Sequence, residues 1–317
     1  MLNYPLILND YLDYMETIKG RSPNTTKEYG YDISKFLKFI TYRFNLNKFT
    51  DNNIDEIDIS NFPEEYLKKI QLSDIHSYLA FLDRNYNDSA TTRARKASSI
   101  RSFFKYLLNI RKIIDINPSE ELEIPKKQKR NPVYLTLDES IRLIKSVENV
   151  ENEIIRKRDQ AILILFLNCG MRLSELSNIK ISDIKDDTLK VIGKGNKERT
   201  IYLNKSCNTA IDEYLKIRPE TDDEFLFLSI RKSKMSNRAI QRRVDYYLEL
   251  SGFDTSIYST HKLRHTAATL MYKHGDVDIK ILQEILGHTS VATTQIYTHV
   301  DDESLRSAIN KNPLGDL

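Results

Sequence analysis

The sequence predicts a mainly helical protein of two domains, with one small antiparallel sheet in the second. A chain of 317 residues exceeds the usual size of a single hydrophobic core. Only 9 glycines and 8 prolines interrupt it, which favours long helices over a turn-rich β protein. Apolar residues recur at helical three-to-four spacing in most segments, while only 188–192 and 200–203 read as strands.

The first helix is expected over 6–18, where Leu6, Leu8, Tyr11, Leu12, Met15 and Ile18 share the period. Ser22-Pro23 supplies an N-cap followed by proline at the first helical position, where its missing N–H costs nothing. The helix it opens carries Tyr29, Ile33, Phe36, Leu37 and Ile40. Residues 44–72 are less regular, with a short helix over 63–70. Ser73 and Ser89 are expected to cap two more helices, the second running to about Leu108. Residues 1–124 thus form a small helical bundle. Pro125-Lys-Lys-Gln-Lys-Arg-Asn-Pro132 has no large apolar side chain to bury and reads as a linker over 125–132.

The second domain, 133–317, opens on Thr136-Leu137-Asp138-Glu139, a capping box. Helices are expected near 137–147 and 151–168, with Gly170 as the stop of the second. Met171 to Leu176 begins a short helix. The two strands flank a glycine-containing hairpin loop, Gly193-Lys194-Gly195-Asn196-Lys197-Glu198-Arg199. Helices follow at 206–217, 236–250, 262–273, 277–286 and 290–298, with Gly275 and Gly287 as stops.

Composition narrows the class. Hydrophobic residues at 40% and charged residues at 29% fit a soluble globular protein. The longest apolar run, 161–167, is too short for a bilayer, and no secretory leader is visible. Cys169 and Cys207 have no metal-type spacing and make no disulfide framework. A cytoplasmic protein with no membrane partner is the expectation.

Net charge is only +3, but its distribution is uneven. Arg93, Arg95, Lys96, Arg101 and Lys105 lie in a run without an acid, as do Arg231, Lys232, Lys234, Arg238, Arg242 and Arg243. Segregated cations suit phosphate backbones, although a single basic run is more often a solvated helix face. The first run, with Arg238, Arg242 and Arg243 from the second, supplies the candidate DNA contacts.

Five of the six histidines lie between 261 and 299, with arginine among them and Tyr297 nine residues after His288. Guanidiniums offer bidentate donors to phosphate and stay charged at every useful pH. Phosphoryl transfer needs an in-line nucleophile and positive donors around the equatorial oxygens. Arg172, Arg264, His261, His288 and Lys194 could supply the donors, and Tyr297 the nucleophile. His261 and His265, four apart on a helix, also fit a metal pair, but no carboxylate or cysteine ligand is obvious nearby.

The ordered motifs resemble the catalytic domain of the tyrosine recombinase (phage integrase) family, nearest to its bacterial Xer type. They are Cys169-Gly170-Met171-Arg172-Leu173-Ser174-Glu175-Leu176, the 193–199 hairpin, His261-Lys262-Leu263-Arg264-His265-Thr266, Leu286-Gly287-His288 and Thr294-Gln295-Ile296-Tyr297, spread over about 130 residues. Cys169 and Met171 replace the commoner threonine and leucine. The N-terminal bundle resembles the family's SAM-like core-binding domain through Ser22-Pro23-Asn24-Thr25 and the 93–105 helix.

The resemblance implies that Tyr297 attacks the scissile phosphate, forming a 3′-phosphotyrosyl bond and freeing a 5′-hydroxyl. Arg172, Arg264 and His288 would hold the non-bridging oxygens, Lys194 would protonate the leaving oxygen, and His261 would donate a hydrogen bond or move a proton. Glu175 would buttress the site. No metal and no cofactor is implied. The partners implied are double-stranded recombination sites clamped between the two domains, in a homo- or hetero-tetramer on two sites, with a paralogue as the other subunit in the latter. The biological task would be chromosome-dimer resolution, integration, excision or inversion. The rival readings are a catalytically inactive architectural DNA-binding protein and a metal-dependent nuclease using the histidines.

Overall fold

A computed structural model describes residues 4–46, 53–124, 133–193, 198–275, 277–287 and 294. The chain divides into two compact units, 1–129 and 130–317. The 125–132 linker, Lys194, His288, Tyr297 and the tail beyond lie outside the described residues.

The first unit is helical. Helix α1 (Leu6–Asp13) runs on into one π turn, Tyr14–Ile18. Helix α2 (Pro23–Arg43) starts as expected, with Ser22 Oγ accepting from the Thr25 amide at 3.3 Å. Helix α3 (Leu72–Tyr86) begins one turn-position before the expected cap. Gln71 precedes it, and the Asp74 carboxylate accepts the Gln71 amide at 2.9 Å, so a carboxylate rather than the Ser73 hydroxyl satisfies the exposed donor. Helix α4 (Ala90–Tyr106) is capped by Ser89 and ends in a π turn, Leu107–Arg111.

Aromatic rings close this core. Phe36 meets Tyr78 at 5.3 Å and Phe104 at 6.0 Å, both edge to face, a geometry set by the ring quadrupoles. The irregular stretch after α2 is part of the core rather than a bare connection. Its 3₁₀ turns at Ile54–Glu56 and Glu64–Lys69 accompany buried Ile54, Ile57, Ile59, Phe62, Leu67 and Ile70.

The second unit is organised around α6 (Glu153–Cys169). All seven residues 161–167 are buried, the signature of a helix covered on every side. It packs against α5 (Leu137–Lys145), α8 (Lys205–Ile217), α9 (Asn237–Leu250) and α10 (Thr260–His274). The Thr136 capping box is present: Glu139 accepts the Thr136 amide at 2.7 Å, and Thr136 accepts the Glu139 amide at 3.3 Å. Short α7 (Leu173–Ser177) follows α6, and α11 (Ile279–Leu286) follows α10. Of the helix expected over 290–298, only Thr294 is described; it is helical and buried.

The sheet is antiparallel in the order β1-β2-β3: β1 (Ile184–Lys185), β2 (Thr188–Ile192) and β3 (Glu198–Tyr202). The third strand, β1, is too short to announce itself by alternation. Strand β3 starts two residues earlier than the expected 200–203, which moves Glu198 and Arg199 from the loop into the ladder, where Ile192 pairs with Glu198 and Val191 with Arg199.

Cys169 and Cys207 are buried thiols with their sulfurs 3.7 Å apart, a proximity their separation in sequence does not reveal. Among the described residues no helix is long and apolar enough to cross a membrane.

Candidate active site

The site is built where α6 stops. Gly170 adopts φ +59°, a left-handed conformation that ends the helix at no steric cost. A Cβ there would also lie 2.9 Å from Leu286 Cδ2, so any larger residue would be strained in this turn and would push Leu286 aside. Met171 then buries completely, as does Cys169 before the turn; both departures from the commoner motif residues are packing positions. The chain leaves the turn extended at Arg172 and enters α7.

Glu175, in the first turn of α7, is the hub. It is buried, and its Oε2 accepts the Arg172 amide at 2.8 Å. Its Oε1 accepts Arg172 Nη1 at 2.8 Å. Arg199 Nη2, from β3, reaches Oε2 at 2.8 Å, and Arg264 Nη1, from α10, lies 3.9 Å from the same oxygen. Burial alone would raise the pKa of this carboxyl, but the hydrogen bond and charge of Arg199, with the Arg172 contacts, hold it below the ordinary value. Glu175 is therefore an anion at neutral pH.

The same three arginines also meet the end of α11. Arg199 Nη1 donates to the Ile285 carbonyl, Arg264 Nη2 to the Leu286 carbonyl at 2.6 Å, and Arg172 Nη2 to the Gly287 carbonyl at 3.1 Å. These are consecutive carbonyls at a helix C-terminus, which lack intrahelical donors and carry the negative end of the helix dipole. Arg264 further donates to the Gly170 carbonyl at 2.7 Å. One carboxylate and one helix end thus hold together three guanidiniums that would otherwise repel. The cluster keeps excess positive charge, as an anion site requires.

Arg264 is buried, whereas the Arg172 side chain is 31% exposed. An open pocket lies over them, lined among others by Arg172, Ser174, Asn237, His261 and Arg264. His261 is exposed at its rim. Surrounding protein, then the charges of Arg264, Lys262 and Arg172, lower its pKa, so the imidazole is neutral at pH 7 and able to take a proton. His261 stacks edge to face on His265 at 4.5 Å between centroids, and no metal-holding group of three His, Cys, Asp or Glu side chains occurs among the described residues.

The structure thus brings together Arg172, Glu175, His261 and Arg264. Lys194, His288 and Tyr297 are outside the described residues; Lys194 falls in the 194–197 segment joining β2 to β3, and His288 directly follows Gly287. Sequence reading missed Arg199 and Asn237. Arg199 carried a signal. It lies two residues before buried Ile201, hence on the same face of a strand, once that strand is extended to 198.

The basic runs separate on inspection of their partners. In α4, Arg93 pairs with Asp83, and Arg95 with the buried Asp32. Lys96 pairs with Asp88 at 2.6 Å, and Arg101 donates to the Ser119 and Glu120 carbonyls. Only Lys105 of this run is exposed with no side-chain partner among the described residues. In α9, Arg243 is bound to Asp159 at 2.6 Å, while Arg238 and Arg242 are exposed and have no side-chain partner among the described residues.

Comparison with known proteins agrees with this geometry. Residues 134–304 match the phage integrase family, and residues 8–110 match the phage integrase N-terminal SAM-like domain. Tyrosine recombinase XerC of Caldanaerobacter subterraneus is 50% identical over 317 residues, covering 99% of this chain and 88% of that protein. Tyrosine recombinase XerD of Proteus mirabilis is 34% identical over 310 residues, covering 95% of this chain and 90% of that protein. Among solved structures, XerH bound to a palindromic difH substrate matches with TM-score 0.71 at 20% identity, over 96% of this chain and 84% of that one. From the two matched domains and the full-length likeness to Xer tyrosine recombinases, we conclude that this chain belongs to the phage integrase family.

Proposed function

We propose that the protein is an Xer-type site-specific recombinase that cuts and rejoins duplex DNA through a 3′-phosphotyrosyl intermediate. The observation that carries the reading is the arginine cluster: Arg172 and Arg264, anchored on Glu175 and the end of α11, under a pocket edged by His261. Two donors of this kind suit the non-bridging oxygens of a phosphodiester, where charge builds up in the transition state. His288 would join them from the residue after Gly287, and Lys194 from the β2–β3 hairpin would protonate the leaving 5′ oxygen.

Tyr297 is the nucleophile in this reading. A phenol has a pKa near ~10, so it must lose its proton as it attacks. Neutral His261 is suited to accept it, beside cations that stabilise the phenolate. The phosphotyrosyl ester conserves the energy of the broken strand, so the freed 5′-hydroxyl can reverse the reaction without ATP.

Double-stranded DNA is the substrate, held by the two units, with Lys105, Arg238 and Arg242 as the cations left available for its phosphates. Action on two sites as a homo- or hetero-tetramer is part of this reading, and the likeness to proteins bearing both the XerC and XerD names supports a paralogue as the second subunit of the latter. The cytoplasm is the proposed location.

The test is a nicked duplex from which the cleaved fragment diffuses away, trapping the intermediate. In EDTA, wild type should form a covalent protein–DNA band and Tyr297→Phe none. Cutting by both proteins, only with added divalent metal and without an adduct, would replace this reading with a nuclease.

A further inference from the structure

We infer that Arg199 is a positioning residue for the phosphate site, one that fixes the arginine cluster without itself facing the substrate. The inference rests on the recombinase reading and names a residue that the motif roles leave out. Arg199 Nη2 holds Glu175 Oε2 at 2.8 Å, and Nη1 donates to the Ile285 carbonyl. The side chain is only 13% exposed and is not among those lining the pocket of Arg172, His261 and Arg264.

Three parts of the chain, far apart in sequence, meet on this one side chain. The first is β3, which directly follows the hairpin segment carrying Lys194. The second is Glu175, which orients Arg172 and stands beside Arg264. The third is the end of α11, at Ile285, three residues before His288 in the sequence. The fit is close at Gly287, where φ is +62° and a Cβ would lie 2.9 Å from Arg199 Cδ. Glycine there lets the arginine stem pass. Arg199 Nε is buried and has no acceptor among the described residues, so the two Nη contacts alone fix the guanidinium.

A planar fork is needed because the two acceptors belong to different elements. A lysine ammonium retains the charge but cannot span both in the arginine's geometry. Without Arg199, Glu175 loses one of its two guanidinium hydrogen bonds and the Ile285 carbonyl loses its cation. Arg172 and Arg264 are then free to relax towards these vacated acceptors and away from the phosphate.

The experiment compares wild type, Arg199→Lys and Arg199→Gln, as full-length proteins, on the nicked duplex under single-turnover conditions. A second duplex carries a methylphosphonate at the scissile position. That linkage is uncharged, so its cleavage depends less on the arginine cradle. Folding is checked by circular dichroism and melting, and DNA affinity by titration. Arg199→Lys should fold, bind DNA as wild type does, and cleave the phosphodiester about 10- to 100-fold more slowly, the scale of an ångström-level misplacement. Arg199→Gln should be slower still, and both deficits should shrink on the methylphosphonate.

Equal cleavage by wild type and Arg199→Lys, or an equal loss on both linkages, would overturn the inference. A folded, DNA-binding wild type that forms no adduct would instead refute the recombinase reading itself.

Discussion

Asp159 and Glu175 are both buried carboxylates ringed by arginines in the catalytic unit, and the difference between them separates scaffold from site. Asp159 accepts Arg158 Nε at 2.8 Å, Arg243 Nε at 2.6 Å and the Tyr247 hydroxyl at 2.8 Å. The remaining contacts close on the protein as well: Arg158 reaches the Leu228 carbonyl, and Arg243 the Tyr247 hydroxyl. This network ties α6 to α9, and Arg158 is buried within it. Around Glu175 there are three guanidiniums for one carboxylate, and Arg172 stays partly open to a pocket. The same residue types make a bolt in one place and an anion site in the other. What differs is the surplus of charge and its access to solvent.

The largest expected effect falls on the open cluster. Arg172→Ala should lower the single-turnover cleavage rate at least about 10²- to 10³-fold, the usual cost of removing one donor to transition-state charge. The fold should survive, because Arg199 still satisfies Glu175. Measured rates within tenfold of wild type would erase the distinction between the two carboxylates.

Asp159→Ala should show the reverse pattern. It leaves two guanidiniums without their counter-charge, and breaking such a buried pair typically costs about 3–5 kcal/mol. Hydrogen exchange across α6 and α9 should accelerate accordingly, while the folded fraction cleaves at close to the wild-type rate. A rate defect as deep as that of Arg172→Ala, without faster exchange, would place Asp159 in the site.

A smaller effect is expected from pH. Because the His261 pKa is lowered, its neutral form predominates above that depressed value, and protonation on acidification removes the proton acceptor. The cleavage rate should therefore rise with pH through an apparent pKa below the ordinary ~6.5 of histidine and level off by neutrality. In His261→Asn this limb should disappear. An unchanged limb would assign the titration to another group.

Most of the fold was legible because its signals are local. Ser22, Ser89 and Thr136 cap their helices through their own side chains, and Gly170 stops α6 where expected. Arg172, Glu175, His261 and Arg264 were legible as motif positions and do converge. What escaped depends either on a choice between neighbouring polar residues or on partners outside the segment being read. The start of α3 is set by Asp74 reaching back to Gln71, a choice between adjacent polar residues that propensity does not make. Arg199 was hidden by a strand boundary placed two residues late. The basic run of α4 looked like a DNA-facing stripe because its neutralising acids, Asp32, Asp83 and Asp88, come from elsewhere in the sequence. Charge counted along a chain is not charge available to a ligand.

The central claim is that the Glu175-anchored arginines cradle a phosphate which Tyr297 attacks. Its most direct test is to trap wild type on the nicked duplex, digest the complex with protease and nuclease, and identify the linked residue by mass spectrometry. A nucleotide 3′-phosphate is expected on the peptide containing Tyr297, with a free 5′-hydroxyl on the released strand. A nucleotide on any other residue, or a 5′-linked adduct, would contradict it.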